Sequence, residues 1–299
     1  MTPLHRVWNQ ESLTLLISNH KLKQLRMRII LLTRKSAFQI YCANYLWRKG
    51  LLTTVIFEEG SSIPTNISSF SYRRLYKKFI EMLTYTLNNP LVFFEYLRFI
   101  INKNKYFGSQ ELYNKKLLRK DYEVLVDGLY AVTVPIINSQ QVKSVLQDLA
   151  PDIVFVFGTR LINSQLFESC SAKFINMHWG WSPDYRGEGI VSALAVQGEE
   201  ALGVTIHLIS SKIDGGNILY RSRPKVDSSD NFYSIGLRLT VLGCELMVKV
   251  VEKYKDCGLL VGESQDLSQG HLYDSKYMRS HIEFYHKAWE RLKKNVVVN

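Results

Sequence analysis

Arg28-Ile29-Ile30-Leu31-Leu32-Thr33 is an unbroken apolar run near the start of the chain. A run without polar alternation suits a parallel strand buried on both faces. Ser36 then stands where a helix needs a cap, and Tyr41 and Leu46 carry a helix on to Lys49, with Gly50 as its stop. Leu52 to Phe57 is a second, β-branched strand. This strand–helix–strand opening predicts an α/β fold, a Rossmann-like doubly wound and mostly parallel sheet.

The alternation resumes further along. Ala131 to Ile136 reads as a strand, Ser139 to Leu149 as a helix, Ile153 to Phe157 as a strand and Ser164 to Ser169 as a short helix. Lys173 to Met177 is the next strand, and Glu188 to Gln197 the next helix. Gly203 to Ser210 and Asn217 to Pro224 follow as strands. Ser228 or Ser229 then caps a long helix through Leu239 and Leu246 to about Val251.

Between Glu58 and Tyr130 the pattern is helical. A Ser-rich loop over 61–71 leads to helices at Tyr72 to Leu87 and Leu91 to Ile101, separated by Pro90, with a third over Asn114 to Asp121. The aromatics there (Tyr72, Tyr76, Phe79, Phe93, Phe94, Tyr96, Phe99) read as packing residues. The expected organisation is an extension at 1–25 with a short helix around Glu11 to Asn19, a core over 26–256 carrying a basic helical insertion at 71–120, and a C-terminal helical appendage at 257–299. The appendage ends in an amphipathic segment, Tyr277 to Lys294.

A chain of 299 residues with 46% hydrophobic content can bury a full core. No stretch approaches the ~18 uncharged apolar residues of a membrane span, and Leu91 to Ile101, the most apolar, contains Glu95 and Arg98. Leu13 to Ile17 is too short for a signal-peptide core. Cys42, Cys170, Cys244 and Cys257 are scattered, which argues against a zinc site and a disulfide framework. A cytoplasmic location is expected. The net charge is +11, and residues 71–120 hold eleven Lys or Arg against Glu81, Glu95 and Glu111. That segment is either a surface for an anionic substrate or nucleic acid, or the solvated face of ordinary helices.

The chemistry gathers around Asn176-Met177-His178 and, 36 residues after the histidine, Asp214-Gly215-Gly216. On a strand, residues two apart face the same way, so Asn176 and His178 project together from its C-terminal end. An amide beside an imidazole, with a carboxylate returning from a later turn, suits a reaction that develops an oxyanion and sheds a proton. Taken singly, each has an ordinary reading: a strand-end cap, a core histidine, a turn former.

Residues Asp152 to Asp214 resemble the folate-dependent formyltransferases, which include glycinamide ribonucleotide, methionyl-tRNA and amino-sugar enzymes. The resemblance runs through Pro151-Asp152-Ile153-Val154-Phe155-Val156-Phe157-Gly158 and Arg160-Leu161-Ile162. It continues in Asn176, His178, Ser182-Pro183-Asp184-Tyr185-Arg186-Gly187, Gly203-Val204-Thr205-Ile206-His207 and Ile213-Asp214-Gly215-Gly216. It implies N10-formyltetrahydrofolate as co-substrate, no metal, and direct attack of an amine on the formyl carbon. Asn176 and a protonated His178 would donate to the oxyanion, while Asp214 would favour the imidazolium and collect the amine's proton directly or through water. Gly158, Arg160, Leu161, Ile162 and Ile213 would hold the folate. Trp181 either shapes the acceptor pocket or fills the loop's core, and Arg186, beside Tyr185, is either a substrate contact or a loop clamp. His207 reads as a strand-face residue.

Departures narrow the acceptor. The loop His178-Trp179-Gly180-Trp181-Ser182-Pro183 lacks the serine and both leucines usual after the histidine. The first strand–helix junction, Leu32-Thr33-Arg34-Lys35-Ser36-Ala37, lacks the glycine-rich phosphate loop of glycinamide ribonucleotide enzymes. The C-terminal segment lacks the pattern of the methionyl-tRNA enzymes' β-barrel, and residues 1–25 are too few for a hydrolase's regulatory domain. The resemblance therefore implies formylation of an amino-sugar nucleotide or related small amine. The alternatives are a catalytically idle protein binding nucleic acid through its basic insertion, or a tRNA or peptide formyltransferase. The expected partners are a small, anionic amine substrate and a second copy of the chain in a homodimer, not nucleic acid or a membrane.

Overall fold

The computed structural model describes residues 6–7, 27–59 and 90–295. Its sheet is built around β2 (Ile29–Arg34), which pairs in parallel with β3 (Thr54–Glu58) on one side and β5 (Ile153–Phe157) on the other. β4 (Tyr130–Val134) and the short β1 (Arg6–Val7) extend the β3 side, also in parallel. β6 (Lys173–His178) pairs in parallel with β5. β8 (Val204–Leu208) and β9 (Ile218–Ser222) then close the other edge, each antiparallel to its neighbour. The order β1-β4-β3-β2-β5-β6-β8-β9 reverses direction between β2 and β5, the switch point of a doubly wound sheet.

The period of the strands decides how both faces are filled. Ile29, Leu31, Ile153 and Phe155 belong to one core, while Ile30, Leu32, Val154 and Val156 belong to the other. Trimming Leu31 or Leu32, both fully enclosed, to alanine would cost about 2–5 kcal/mol. α1 (Ala37–Arg48), α6 (Gly189–Val196) and α7 (Phe232–Cys257) contribute to the first core, and α4 (Gln140–Leu149) and α5 (Ser164–Phe167) to the second. α7 lies close against the sheet because Gly243 offers no side chain: a Cβ there would stand 2.6 Å from the Met177 sulfur on β6.

Local signals place most ends within a residue or two. Ser139 accepts the Val142 N–H as expected of a cap. Ser36 holds the capping position of α1 but its hydroxyl donates to Gln39 instead of accepting a backbone N–H. The cap of α7 is Asn231, in a reciprocal pair with Ser234, rather than Ser228 or Ser229; the Ser229 hydroxyl is turned to Asp227. α7 also runs past Val251 to Cys257, because no stop occurs before Gly258, which takes the left-handed conformation (φ 65°).

The helical insertion contains α2 (Pro90–Phe107) and α3 (Gln110–Leu118). The helices expected at Tyr72 to Leu87 and Glu11 to Asn19 lie outside the described residues, with Tyr72, Tyr76 and Phe79. Phe99 packs on Tyr106 and Tyr285, but Phe94 and Tyr96 are exposed rather than core residues. The C-terminal segment packs into the body. Its strand β10 (His271–Tyr273) pairs in parallel with β7 (Tyr185–Gly187), and α9 (Glu283–Asn295), which follows α8 (Ser275–Ser280), lies on α6 and α2. No helix among the described residues is long and apolar enough to cross a membrane.

Candidate active site

A cavity of about 630 Å³ opens at the C-terminal ends of β5 and β6, beside the switch point. Its walls come from Arg34, the Phe157–Ile162 loop, the Asn176–Trp179 strand end, Gly187-Glu188, the Ile213-Asp214 turn and the Leu272–Ser275 segment. The volume is in the range that holds a drug-sized ligand. Leu161 presents an exposed side chain (66%) to it, and Val156, Phe157, Ile162, Ile209 and Ile213 make much of the wall apolar. A flat, largely apolar molecule with a few polar edges fits this lining.

Asn176, His178 and Asp214 meet here. Asn176 and His178 continue the row begun by Phe174, so the period of the strand brings them to one face. β8 runs antiparallel beside them and pairs His207 opposite Asn176. The turn after β8 returns Asp214, in a left-handed conformation (φ 48°) that asparagine and aspartate tolerate best. Gln265 Nε2 donates to the Asp214 carbonyl at 3.0 Å and pins that turn.

The Asp214 carboxylate is fully engaged. Asn176 Nδ2 donates to Oδ1 at 3.2 Å, with His207 Nε2 at 3.5 Å from the same oxygen. The Gly187 amide donates to Oδ2 at 2.9 Å, and His178 Nδ1 lies 3.4 Å from it. Burial opposes ionisation of Asp214, but the charge of His178, the bond and charge of His207 and the Gly187 amide outweigh it, holding the carboxyl well below its usual range. Four nitrogens thus surround its two oxygens, which leaves the carboxylate little room for the proton expected of it.

His178 is buried, and its Nε2 faces the Tyr185 carbonyl at 2.8 Å. With Asp214 at Nδ1, both ring nitrogens face acceptors, an arrangement an imidazolium satisfies completely. Neither ring nitrogen of His178 is left free to face the cavity. His207 is more than a strand-face residue: its Nδ1 lies 2.9 Å from the Leu208 carbonyl, and its Nε2 stands 3.2 Å from Asn176 Nδ2 and 3.5 Å from Asp214 Oδ1. Its place in the cluster follows from the antiparallel register of β8, which no local pattern announces.

Gly158, Arg160, Leu161, Ile162 and Ile213 line the cavity. The loop is already anchored: the Arg160 amide donates to Glu58 Oε2 at 3.0 Å, and the Leu161 carbonyl accepts from Asn138 at 2.8 Å. Glu58, with its side chain wholly enclosed, also accepts from the Ile137 amide and pairs with the guanidiniums of Arg34 and Arg160 at 3.4 and 3.5 Å. Sequence reading missed Glu58, Arg34, Gln39, Trp179 and Glu188. The acidic end of a buried strand, where an ion is costly without partners, is the signal that would have found Glu58.

Three residues expected to bind substrate do not reach the cavity. Trp181 lies beneath the guanidiniums of Arg221 and Arg223, whose central carbons stand 4.9 and 3.8 Å from its ring. It fills the loop's core because the neighbouring β9 and the residue just past its end supply two cations to stack on it. Tyr185 is buried, stacked on Tyr273 with its hydroxyl donating to Gln197. Arg186 donates to the Ile213 carbonyl at 3.4 Å and acts as the loop clamp. The loop ring that borders the cavity is Trp179, packed against Phe38 and Phe157. Among the described residues no group of three or more His, Cys, Asp or Glu is placed to hold a metal ion.

The resemblance read in the sequence is borne out by comparison. Residues 113–251 match the family model described as Formyl transferase. A methionyl-tRNA formyltransferase from Chlorobium luteolum is 27% identical over 121 residues, 40% of this chain and 38% of that protein. Another from Solibacter usitatus is 32% identical over 120 residues, again 40% and 38%. The chain thus spans about two fifths of the length of the curated relatives it matches. Among solved structures, a sugar N-formyltransferase from a Shewanella species aligns with a TM-score of 0.52 at 12% identity, covering 88% of both chains. A 4-N formyltransferase from Francisella tularensis aligns at 0.50 and 16%, covering 88% of this chain and 87% of its own. A glycinamide ribonucleotide transformylase from Symbiobacterium toebii aligns at 0.50 and 14%, covering 80% and 93%. These structures share the fold.

Proposed function

We propose that this chain moves a formyl group from N10-formyltetrahydrofolate to the amine of an amino-sugar nucleotide or related small metabolite. The observation that carries the reading is the convergence of Asn176, His178 and Asp214, with His178 Nδ1 3.4 Å from the carboxylate, at the wall of the cavity. The apolar lining around Leu161, Ile162 and Ile213 would hold the flat ring of the folate, which supplies an activated formyl carbon when bound.

The chain's own residues then have separable tasks. Asp214 keeps a negative charge against His178, and the charged ring favours negative charge developing on the formyl oxygen. Asn176 Nδ2 donates to Asp214 and lies 3.2 Å from His207 Nε2. Arg34 and Arg160, near Glu58 at the cavity wall, suit an anionic acceptor. The names of the sequence relatives favour a second acceptor, methionyl-tRNA, for which the basic segment 71–120 would be the contact.

Calorimetry with a reduced folate tests the reading. Saturating ligand at one hundred times its dissociation constant should stabilise the fold by about 2.7 kcal/mol. No binding of any reduced folate would remove the co-substrate and the proposal with it.

A further inference from the structure

With four nitrogens already around the Asp214 oxygens, the acceptor's proton is better suited to a carboxylate or imidazole left unengaged elsewhere at the cavity. Asp274 spends an oxygen on the Tyr277 amide at 2.7 Å. His207 is bonded at both nitrogens, and Glu58 is enclosed between two guanidiniums and two backbone amides. Glu188 remains. Glu188 lines the cavity, is open to solvent and lies near enough to His178 to feel its charge, and its carboxylate has no hydrogen-bond or ion-pair partner among the described residues.

Its placement is built. The Glu188 amide donates to the Tyr273 carbonyl at 2.9 Å, which ties it to the C-terminal strand β10. The preceding Gly187 amide holds Asp214. The following Gly189 lies so close to the Trp179 carbonyl and Gly180 that a side chain there would collide with both. The backbone is therefore fixed on three sides while the carboxylate is left unengaged. Neighbouring protein shields Glu188 enough to raise its carboxyl, with the His178 charge pulling the other way. The Tyr285 phenol of α9 is pushed up to about 12 by burial and by the Glu188 charge, so it stays neutral.

We propose that Glu188 accepts the proton of the attacking amine, which rests on the formyl-transfer reading above. The acceptor nitrogen forms its bond to the formyl carbon and releases one proton to a Glu188 oxygen. The donor nitrogen leaves with the electron pair of the broken C–N bond and takes up a proton, so protons and charge balance across the transfer. A carboxylate in this position also attracts an acceptor that arrives as an ammonium ion, which loses its first proton to solvent before attack and its second to Glu188. The charged groups facing this position are His178 and Asp214 from the strand and turn, Asp274 from the C-terminal segment, and Arg34, Arg160 and Lys212 from the cavity rim.

The test uses the full chain with N10-formyltetrahydrofolate and a panel of nucleotide amino sugars, comparing wild type, Glu188→Gln and Glu188→Asp. Melting temperature and reduced-folate affinity should be unchanged in Glu188→Gln. Transfer should fall on the order of 10²-fold or more, with loss of the acidic limb of the pH–rate profile and partial recovery in Glu188→Asp. Undiminished transfer by Glu188→Gln with the same acidic limb overturns this assignment alone. A wild type that binds reduced folate but transfers to no acceptor overturns the formyl-transfer reading and this one together.

Discussion

Replacing Asp214 by asparagine removes one charge and one acceptor from the cluster. The carboxylate accepts on both oxygens, whereas an amide offers one oxygen and one NH2. The Gly187 amide cannot turn, so the new oxygen must face Gly187 and His178, and the new NH2 must face Asn176 and His207. Asn176 then has to reverse its own amide. That exchange keeps the hydrogen bonds nearly satisfied and should cost the fold about 1–3 kcal/mol. The lost charge is the larger effect on turnover. At 3.4 Å and an effective dielectric of about 20, the His178–Asp214 pair is worth about 5 kcal/mol gross. The share that grows as the formyl oxygen becomes negative is about 3 kcal/mol, or roughly 10²-fold in kcat. Folate affinity should change little, because the lost interaction matters in the transition state. Asp184→Asn, in an exposed side chain of the preceding loop, should keep both rate and stability.

The same substitution has a pH signature. The folded carboxyl of Asp214 lies below its unfolded value, so the unfolded chain binds its proton first as pH falls. The stabilisation is fully present above pH ~4, near the unfolded value, and is lost as pH drops toward the folded value. Urea midpoints of wild type and Asp214→Asn should therefore differ at pH 6, begin to approach each other below about pH 4 and close progressively as pH falls further. Turnover equal to wild type would remove Asp214 from the site, and a stability gap that persists in acid would contradict the charge argument.

Glu58→Ala should destabilise the fold by about 3–5 kcal/mol in urea titrations, since it strands Arg34, Arg160 and two amides, and it should weaken reduced-folate binding by loosening the Arg160–Ile162 loop. Leu161→Ala, at an exposed position, should leave the urea midpoint within about 0.5 kcal/mol of wild type but lower reduced-folate affinity roughly tenfold by calorimetry.

The sheet was legible because its strands are long apolar runs buried on both faces, Arg28 to Thr33 and Ile153 to Phe157 above all. Asn176 and His178 were legible for the same reason, since strand period alone sets them side by side. Contacts between distant segments were not. Glu58 meets Arg160 across 102 positions, and β10 pairs with β7 although Gly270 to Tyr273 carries no strand pattern of its own. Trp181 was ambiguous because its partners, Arg221 on β9 and Arg223 just past its end, arrive forty or more positions later. The cap of α7 was misplaced because several capping residues stand in a row, and only the reciprocal bond of Asn231 and Ser234 distinguishes them.

Mass analysis of acceptors after incubation with N10-formyltetrahydrofolate tests the central claim most directly. Wild-type protein should convert at least one nucleotide amino sugar to its N-formyl derivative with matching release of tetrahydrofolate, and Asp214→Asn should do so roughly 10²-fold more slowly. Formylation of methionyl-tRNA alone would keep the chemistry and change the acceptor. No formyl transfer to any amine, from protein that binds the folate, would contradict the account.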